Sequence, residues 1–210
     1  MVQDMSQHRP KRSASQTRDE LLAAAGALLL ARGAESMVSV DDVVKAVGVT
    51  PPMLYRHFAD KQTLFAEVHA QRMLDFQAAL QTAAAAETDP VRRLEARGRG
   101  YVRYAVENPE SYRAVFMALD DRGGDVFAGG NHEADSAYGD LVADVRSCIA
   151  VGRFDDRDPE LMARVIWSIV HGLSSMLIAM PTTIQPFTAD DMIEASLSAI
   201  TRGFARTTDS

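Results

Sequence analysis

The chain has 210 residues, 47% hydrophobic and 24% charged, with 13 glycines and 8 prolines. These values exclude a disordered, collagen-like or low-complexity chain and leave length for one or two cored domains. A single cysteine, Cys148, excludes an internal disulfide framework and a cysteine-rich zinc site.

The net charge of −7 argues against a nucleic-acid partner for the chain as a whole, but its distribution is uneven. Up to residue 65, eight basic groups stand against seven acidic ones; beyond it, fourteen stand against twenty-two. A polyanion is therefore expected to meet only the N-terminal head. The longest unbroken apolar run, Leu21 to Ala31, is too short to span a membrane. Met1 to Met5 lacks the basic-then-apolar order of a signal peptide. Cytoplasmic localisation is the expectation.

Residues 1–15 read as a mobile arm, in which Arg9, Lys11 and Arg12 fit a solvated tail as well as a DNA contact. A first helix is predicted from Gln16 to Arg32, with Leu21, Ala25, Leu28 and Leu29 on one face and Gly33 ending it. Ser39 with Asp42 three residues later forms a capping box that opens a helix to Ala46, and Gly48 follows. Thr50 is expected to cap a second short helix, Pro51 to Phe58, with proline at its first position. Asp60 caps a long helix reaching about Ala84. Asp89-Pro90, Asn108-Pro109 and Asp158-Pro159 each place a capping side chain before a proline, and Thr188 with Asp191 forms another box. An irregular glycine-rich stretch runs from Asp120 to about His132; helices are expected at 133–153, 159–180 and 189–205. The fold class is all-α, with about nine helices.

Residues 39–58 carry the function. Two short helices about a glycine turn make a helix-turn-helix, with Val43, Val44, Val47, Leu54 and Phe58 inward. Pro51, Pro52, Met53, Tyr55, Arg56 and His57 remain outward, a set suited to a major groove. Tyr55 and His57 also fit ordinary surface residues. With Lys61 they supply donors on one edge, as phosphate anchoring requires. Lys61 opposes the helix dipole, which favours an anionic partner.

Residues 16–69 resemble the DNA-binding domain of TetR-family transcriptional regulators. The resemblance rests on the run Ser39 to Thr50, then Leu54-Tyr55-Arg56-His57-Phe58 and Lys61, Leu64 and Phe65. It implies an operator-binding homodimer whose C-terminal helices bind a small effector, usually as a repressor. It also implies phosphate contacts for Thr50, Tyr55, His57 and Lys61, and base or rim contacts for Pro51, Pro52, Met53 and Arg56, with Ser39 counted in the DNA-binding set. Met53 departs from the small residue common there and suits thymine methyl groups. The implied organisation is an arm over 1–15, a DNA-binding domain over 16–62 and an effector-binding and dimerisation domain over 63–206.

Trp167, His171 and Gly172 resemble the Trp-x-x-x-His-Gly signature of one subclass. Tyr101, Tyr104, Phe116, Met117, Trp167 and His171 then read as an effector pocket for an apolar or aromatic ligand, although ordinary core fits each of them equally. Apolar stripes on the last two helices exceed one core's needs and point to a two-fold dimer.

No catalytic residue, cofactor or metal is expected. The five histidines show no paired metal spacing, and no phosphate loop or nucleophile motif appears. An enzyme, or a helical ligand-binding protein without DNA, is the competing reading.

Overall fold

Local capping chemistry sets where the helices begin. In the computed structural model, which describes residues 13–116 and 132–206, nine α-helices account for the described regular structure besides two short 3-10 turns. They are α1 (Ala14–Arg32), α2 (Val40–Val47), α3 (Pro51–Tyr55), α4 (Lys61–Ala85), α5 (Pro90–Glu107), α6 (Pro109–Phe116), α7 (His132–Ala150), α8 (Pro159–Ala179) and α9 (Ala189–Phe204). No strand occurs among the described residues; Phe154 and Ala205 form an isolated antiparallel bridge. Residues 1–12 of the expected arm 1–15, most of the glycine-rich stretch and Met117 lie outside the described residues.

The capping boxes at Ser39–Asp42 and Thr188–Asp191 form as expected, as do the Asp89 and Asp158 caps. Each cap satisfies amide groups that the first helical turn would otherwise leave unpaired, a gain of about 1 kcal/mol. Four details differ from the sequence reading. α1 starts two residues early because Ser13 caps it, with Gln16 closing a box. Thr50 holds the N-cap position of α3 but makes no side-chain cap bond. α3 stops at Tyr55 because the Leu54 carbonyl takes the N–H groups of both His57 and Phe58, tightening the last turn. Asn108 serves the end of α5, both its N–H and its side-chain amide donating to the Tyr104 carbonyl.

The chain divides into two compact units, residues 1–68 and 69–210, six residues later than the boundary the sequence suggested. In the first, α1 packs on α2 and α2 on α3 around Leu21, Ala25, Leu29, Val43, Leu54 and Phe58, all buried. Each of these leucine, valine and phenylalanine side chains contributes about 1.5–3 kcal/mol when fully buried. The opening turns of α4 add Leu64, Phe65 and Val68.

In the second unit α5 is the central helix, packed against α6, α7, α8 and α9. A side chain at Gly100 would come within 2.7 Å of the Ala83 methyl, so this glycine allows α5 to approach α4 closely. α8 is long and apolar enough by composition to cross a membrane, although polar residues interrupt its apolar run. Its buried face, Ile166, Val170, Leu173 and Leu177, belongs instead to the core shared with α5, α7 and α9.

Candidate functional site

The first unit presents α3 on a buried base. Leu54 and Phe58 are almost wholly inaccessible, and the side chains between and before them face outward. Tyr55 is 52% exposed. Thr50, Pro52 and Arg56 are exposed; Pro51, Met53 and His57 are half-buried. Pro51 and Pro52 supply no amide hydrogen, so anion binding at this helix start falls to side chains.

Two of the residues expected at a DNA surface already have internal partners. The Ser39 hydroxyl accepts from the Asp42 amide at 3.1 Å and donates to Asp42 Oδ2 at 2.6 Å, which leaves no hydroxyl proton for a phosphate. Arg32 donates to the same carboxylate oxygen at 2.6 Å; with the Ser39 bonds it holds Asp42 well below the usual carboxylate range. Lys61 Nζ donates to the Glu35 carbonyl at 2.8 Å and lies 5.5 Å from the centre of the Phe65 ring. That carbonyl, together with the ring face, offsets the unfavourable helix dipole, so the position of Lys61 does not by itself require an anion. Two of its three protons remain for other acceptors. Arg18, which sequence reasoning passed over, pairs with Glu67 and lies 5.1 Å over the Phe58 ring, bracing the base of α3.

The second unit holds a cavity of about 40 Å³, room for a few waters. Three of the expected pocket residues, Tyr101, Phe116 and Trp167, line it. Tyr104 does not; it packs edge-on against Phe76 at 5.3 Å. His171 stands behind the wall, stacked on Trp167 at 5.0 Å. Its Nδ1 is 2.6 Å from the Tyr112 hydroxyl and 3.0 Å from that of Tyr101. Burial lowers the His171 pKa and raises those of Tyr101 and Tyr112, so all three are neutral near pH 7.

Sequence reasoning missed Phe76, Tyr138 and Arg97 in the wall. Arg97 had a signal: it falls between Leu94 and Tyr101 on the buried stripe of α5, where a charge is anomalous. Its Nε donates to Asp144 Oδ2 at 2.7 Å and its Nη1 lies 3.4 Å from Asp140 Oδ2; Arg93 Nε donates to Asp144 Oδ1 at 2.7 Å. Among the described residues no group of three or more His, Cys, Asp or Glu side chains could hold a metal. Burial pushes the Cys148 thiol up to about 12, which makes it a poor nucleophile.

α8 also leaves an outer apolar face, with Leu161, Val165 and Ile169 exposed, and Met180 just beyond its C-terminal end is exposed as well. The stripe on α9 differs from expectation. Ile193, Leu197 and Ile200 are consumed by the unit's own core, and Ala195 and Ala199 remain exposed.

Two family models match the chain. "Bacterial regulatory proteins, tetR family" covers residues 21–68, and "Tetracyclin repressor-like, C-terminal domain" covers residues 94–200. The "HTH-type transcriptional activator FasR" of Mycolicibacterium smegmatis is 27% identical over 99 residues, 47% of this chain and 45% of that protein, so the match spans less than half the relative's length. A protein of unknown function from Rhodococcus sp. RHA1 superposes with a TM-score of 0.79 at 22% identity, over 95% of this chain and all of the other. The "fatty acid degradation regulator FadR" from Bacillus halodurans superposes with a TM-score of 0.73 at 14% identity, over 93% and 100%. At these identities the structural likenesses show a shared fold.

Proposed function

The chain belongs to the TetR family of bacterial transcriptional regulators, and from that premise we propose that it is a cytoplasmic homodimeric repressor, released from a near-palindromic operator by a small molecule. The observation that carries this reading is the tip of α3, where Tyr55 and Arg56 are exposed above the buried pair Leu54 and Phe58. A helix so mounted fits a major groove. Arg56 is assigned to guanine or phosphate, Met53 with Pro51 and Pro52 to thymine methyls and the base rim, and Thr50, Tyr55, His57 and Lys61 to phosphates. Ser39 supports the surface through its cap.

The dimer is assigned to the outer face of α8, with the small residues of α9 contributing. Exposed apolar residues at spacings of four, 161, 165 and 169, make a continuous ridge suited to a helical interface. Two copies would set their reading helices about 34 Å apart.

The effector is assigned to the cavity. α4 carries Leu64 and Phe65 in the first unit's core and Phe76 in the cavity wall of the second, so one continuous helix is available to couple the two sites. Coupling requires that the effector bind the free and operator-bound forms with different affinity.

Selection of bound duplexes from a random pool tests the reading. A two-fold symmetric consensus is the expected result, with Met53→Ala relaxing preference at thymine positions. A chain that enriches no duplex at low salt, or sediments only as a monomer, refutes it. The relative named as an activator makes the sign of regulation a separate measurement. Transcription from a promoter carrying the selected operator should fall when the protein is added, and a rise would replace repression by activation.

A further inference from the structure

We infer that the cavity of the second unit selects an uncharged apolar molecule and discriminates against a carboxylate, an inference that rests on the cavity being the effector site. Arg97 is the one charged side chain among its described lining residues, and it is 8% exposed. A lone buried guanidinium would attract an anion, but this one is already matched. Asp144, itself 3% exposed, receives Arg97 and Arg93 on its two oxygens at 2.7 Å each, and Asp140 takes the outer edge of Arg97 at 3.4 Å. Two cations and two carboxylates sum to zero.

The remaining polar groups at that wall, Tyr101, Tyr138 and Trp167, with Tyr112 and His171 behind, carry no charge near neutrality; Tyr101, Tyr112 and His171 bond one another and the Tyr138 hydroxyl donates to the Glu160 carbonyl. Arg164, a further cation near the wall, lies 5.5 Å from the Tyr138 ring on an exposed side chain, where water competes for it. A carboxylate entering the cavity would thus lose its hydration and find no net positive charge to offset the loss. It could accept from the Arg97 N–H groups that face neither Asp144 nor Asp140, but that would carry the neutral cluster to −1, and drawing Arg97 away from Asp144 would leave that buried carboxylate half-paired. A neutral apolar guest has no such cost. At about 40 Å³ the cavity must open to admit it, and flexible or edge-packed walls such as Met73 and Phe116 can move without disturbing the ion cluster.

The test uses the full chain at pH 7.5 with two probes of equal length, 1-decanol and decanoate, read through the fluorescence of the single tryptophan, Trp167, which lines the cavity. Decanol is expected to bind at least tenfold more tightly. Asp140→Asn, at a half-buried position, removes one carboxylate and leaves the cluster at +1, so the decanoate-to-decanol affinity ratio should rise severalfold. Ala137→Phe, which fills the cavity from a half-buried wall position, should abolish both signals. Decanoate binding as tightly as decanol, or a ratio unmoved by Asp140→Asn, overturns the charge argument while leaving the site in place. Binding of neither probe, or binding indifferent to Ala137→Phe, removes the cavity as the effector site.

Discussion

The triangle formed by Tyr101, Tyr112 and His171 allows a double-mutant prediction of definite sign. Tyr112 is fully buried and Tyr101 is 5% exposed. With His171 neutral, one ring nitrogen can accept, and both hydroxyls stand at Nδ1, Tyr112 at 2.6 Å and Tyr101 at 3.0 Å, with 3.1 Å between them. In the tautomer that leaves Nδ1 unprotonated, the nitrogen takes one strong bond, from Tyr112, and Tyr101 then donates to the Tyr112 oxygen. In Tyr112→Phe the Tyr101 hydroxyl turns to Nδ1, so the loss is one hydrogen bond, about 1 kcal/mol. In Tyr101→Phe the Tyr112 bond survives, and the loss is again about 1 kcal/mol or less. The double variant strands Nδ1, which adds an unsatisfied acceptor worth about 1–2 kcal/mol beyond the sum of the singles. Phenylalanine keeps the ring contacts, so the measurement isolates the hydroxyls. Urea unfolding followed by Trp167 fluorescence gives the three differences. A double variant equal to the sum of the singles within about 0.5 kcal/mol would show that the two hydroxyls do not serve one nitrogen.

Three further outcomes are expected. Because burial lowers the His171 pKa below its ordinary 6.5, its stabilising contribution is full above that value and is lost as pH falls through the lower folded value. Melting temperatures between pH 7 and pH 5 should therefore decline less steeply in His171→Gln, and parallel curves would deny the histidine this role. Gly48 has φ +76 and open space where a side chain would stand, so Gly48→Ala costs only the left-handed backbone, about 1 kcal/mol, and Gly48→Asn should cost less. Equal losses for Ala and Asn in chemical unfolding would locate the cost elsewhere. Ser39→Ala should lower stability by about 1 kcal/mol through its cap yet leave operator affinity within twofold at 15 °C. A tenfold loss of affinity in the folded variant would put the hydroxyl on DNA.

The head of this chain is readable because its determinants are local. A serine reaches an aspartate three residues on, a glycine takes a left-handed turn nine residues after that serine, and valines repeat at helical spacing. None of these needs knowledge of a distant contact. Errors entered where a side chain had two local choices. Asn108 could cap the helix ahead or close the one behind, and with α5 and α6 separated by this one residue the backward bonds to Tyr104 won. Lys61 looked like a cation in search of an anion because its acceptor, the Glu35 carbonyl, lies twenty-six residues upstream in a 3-10 turn that no periodicity announces.

The body is less legible for the same reason applied at longer range. Its aromatic residues could be recognised as core or cavity, but the choice between those depends on where helices 43 to 95 residues apart in sequence come to rest. Arg97 meets Asp144 and Asp140, and Arg99 meets Glu194, across separations of that order. Sequence alone presents Arg97 as an unmatched charge on a buried stripe, at odds with the apolar or aromatic ligand that the surrounding residues suggest. The two carboxylates of α7 remove that conflict, since a charge already matched inside the protein offers an entering anion no net attraction. Selectivity at this cavity therefore turns on the charge sum of the wall and its backing residues, and the replacement of Asp140 alone should be enough to move it.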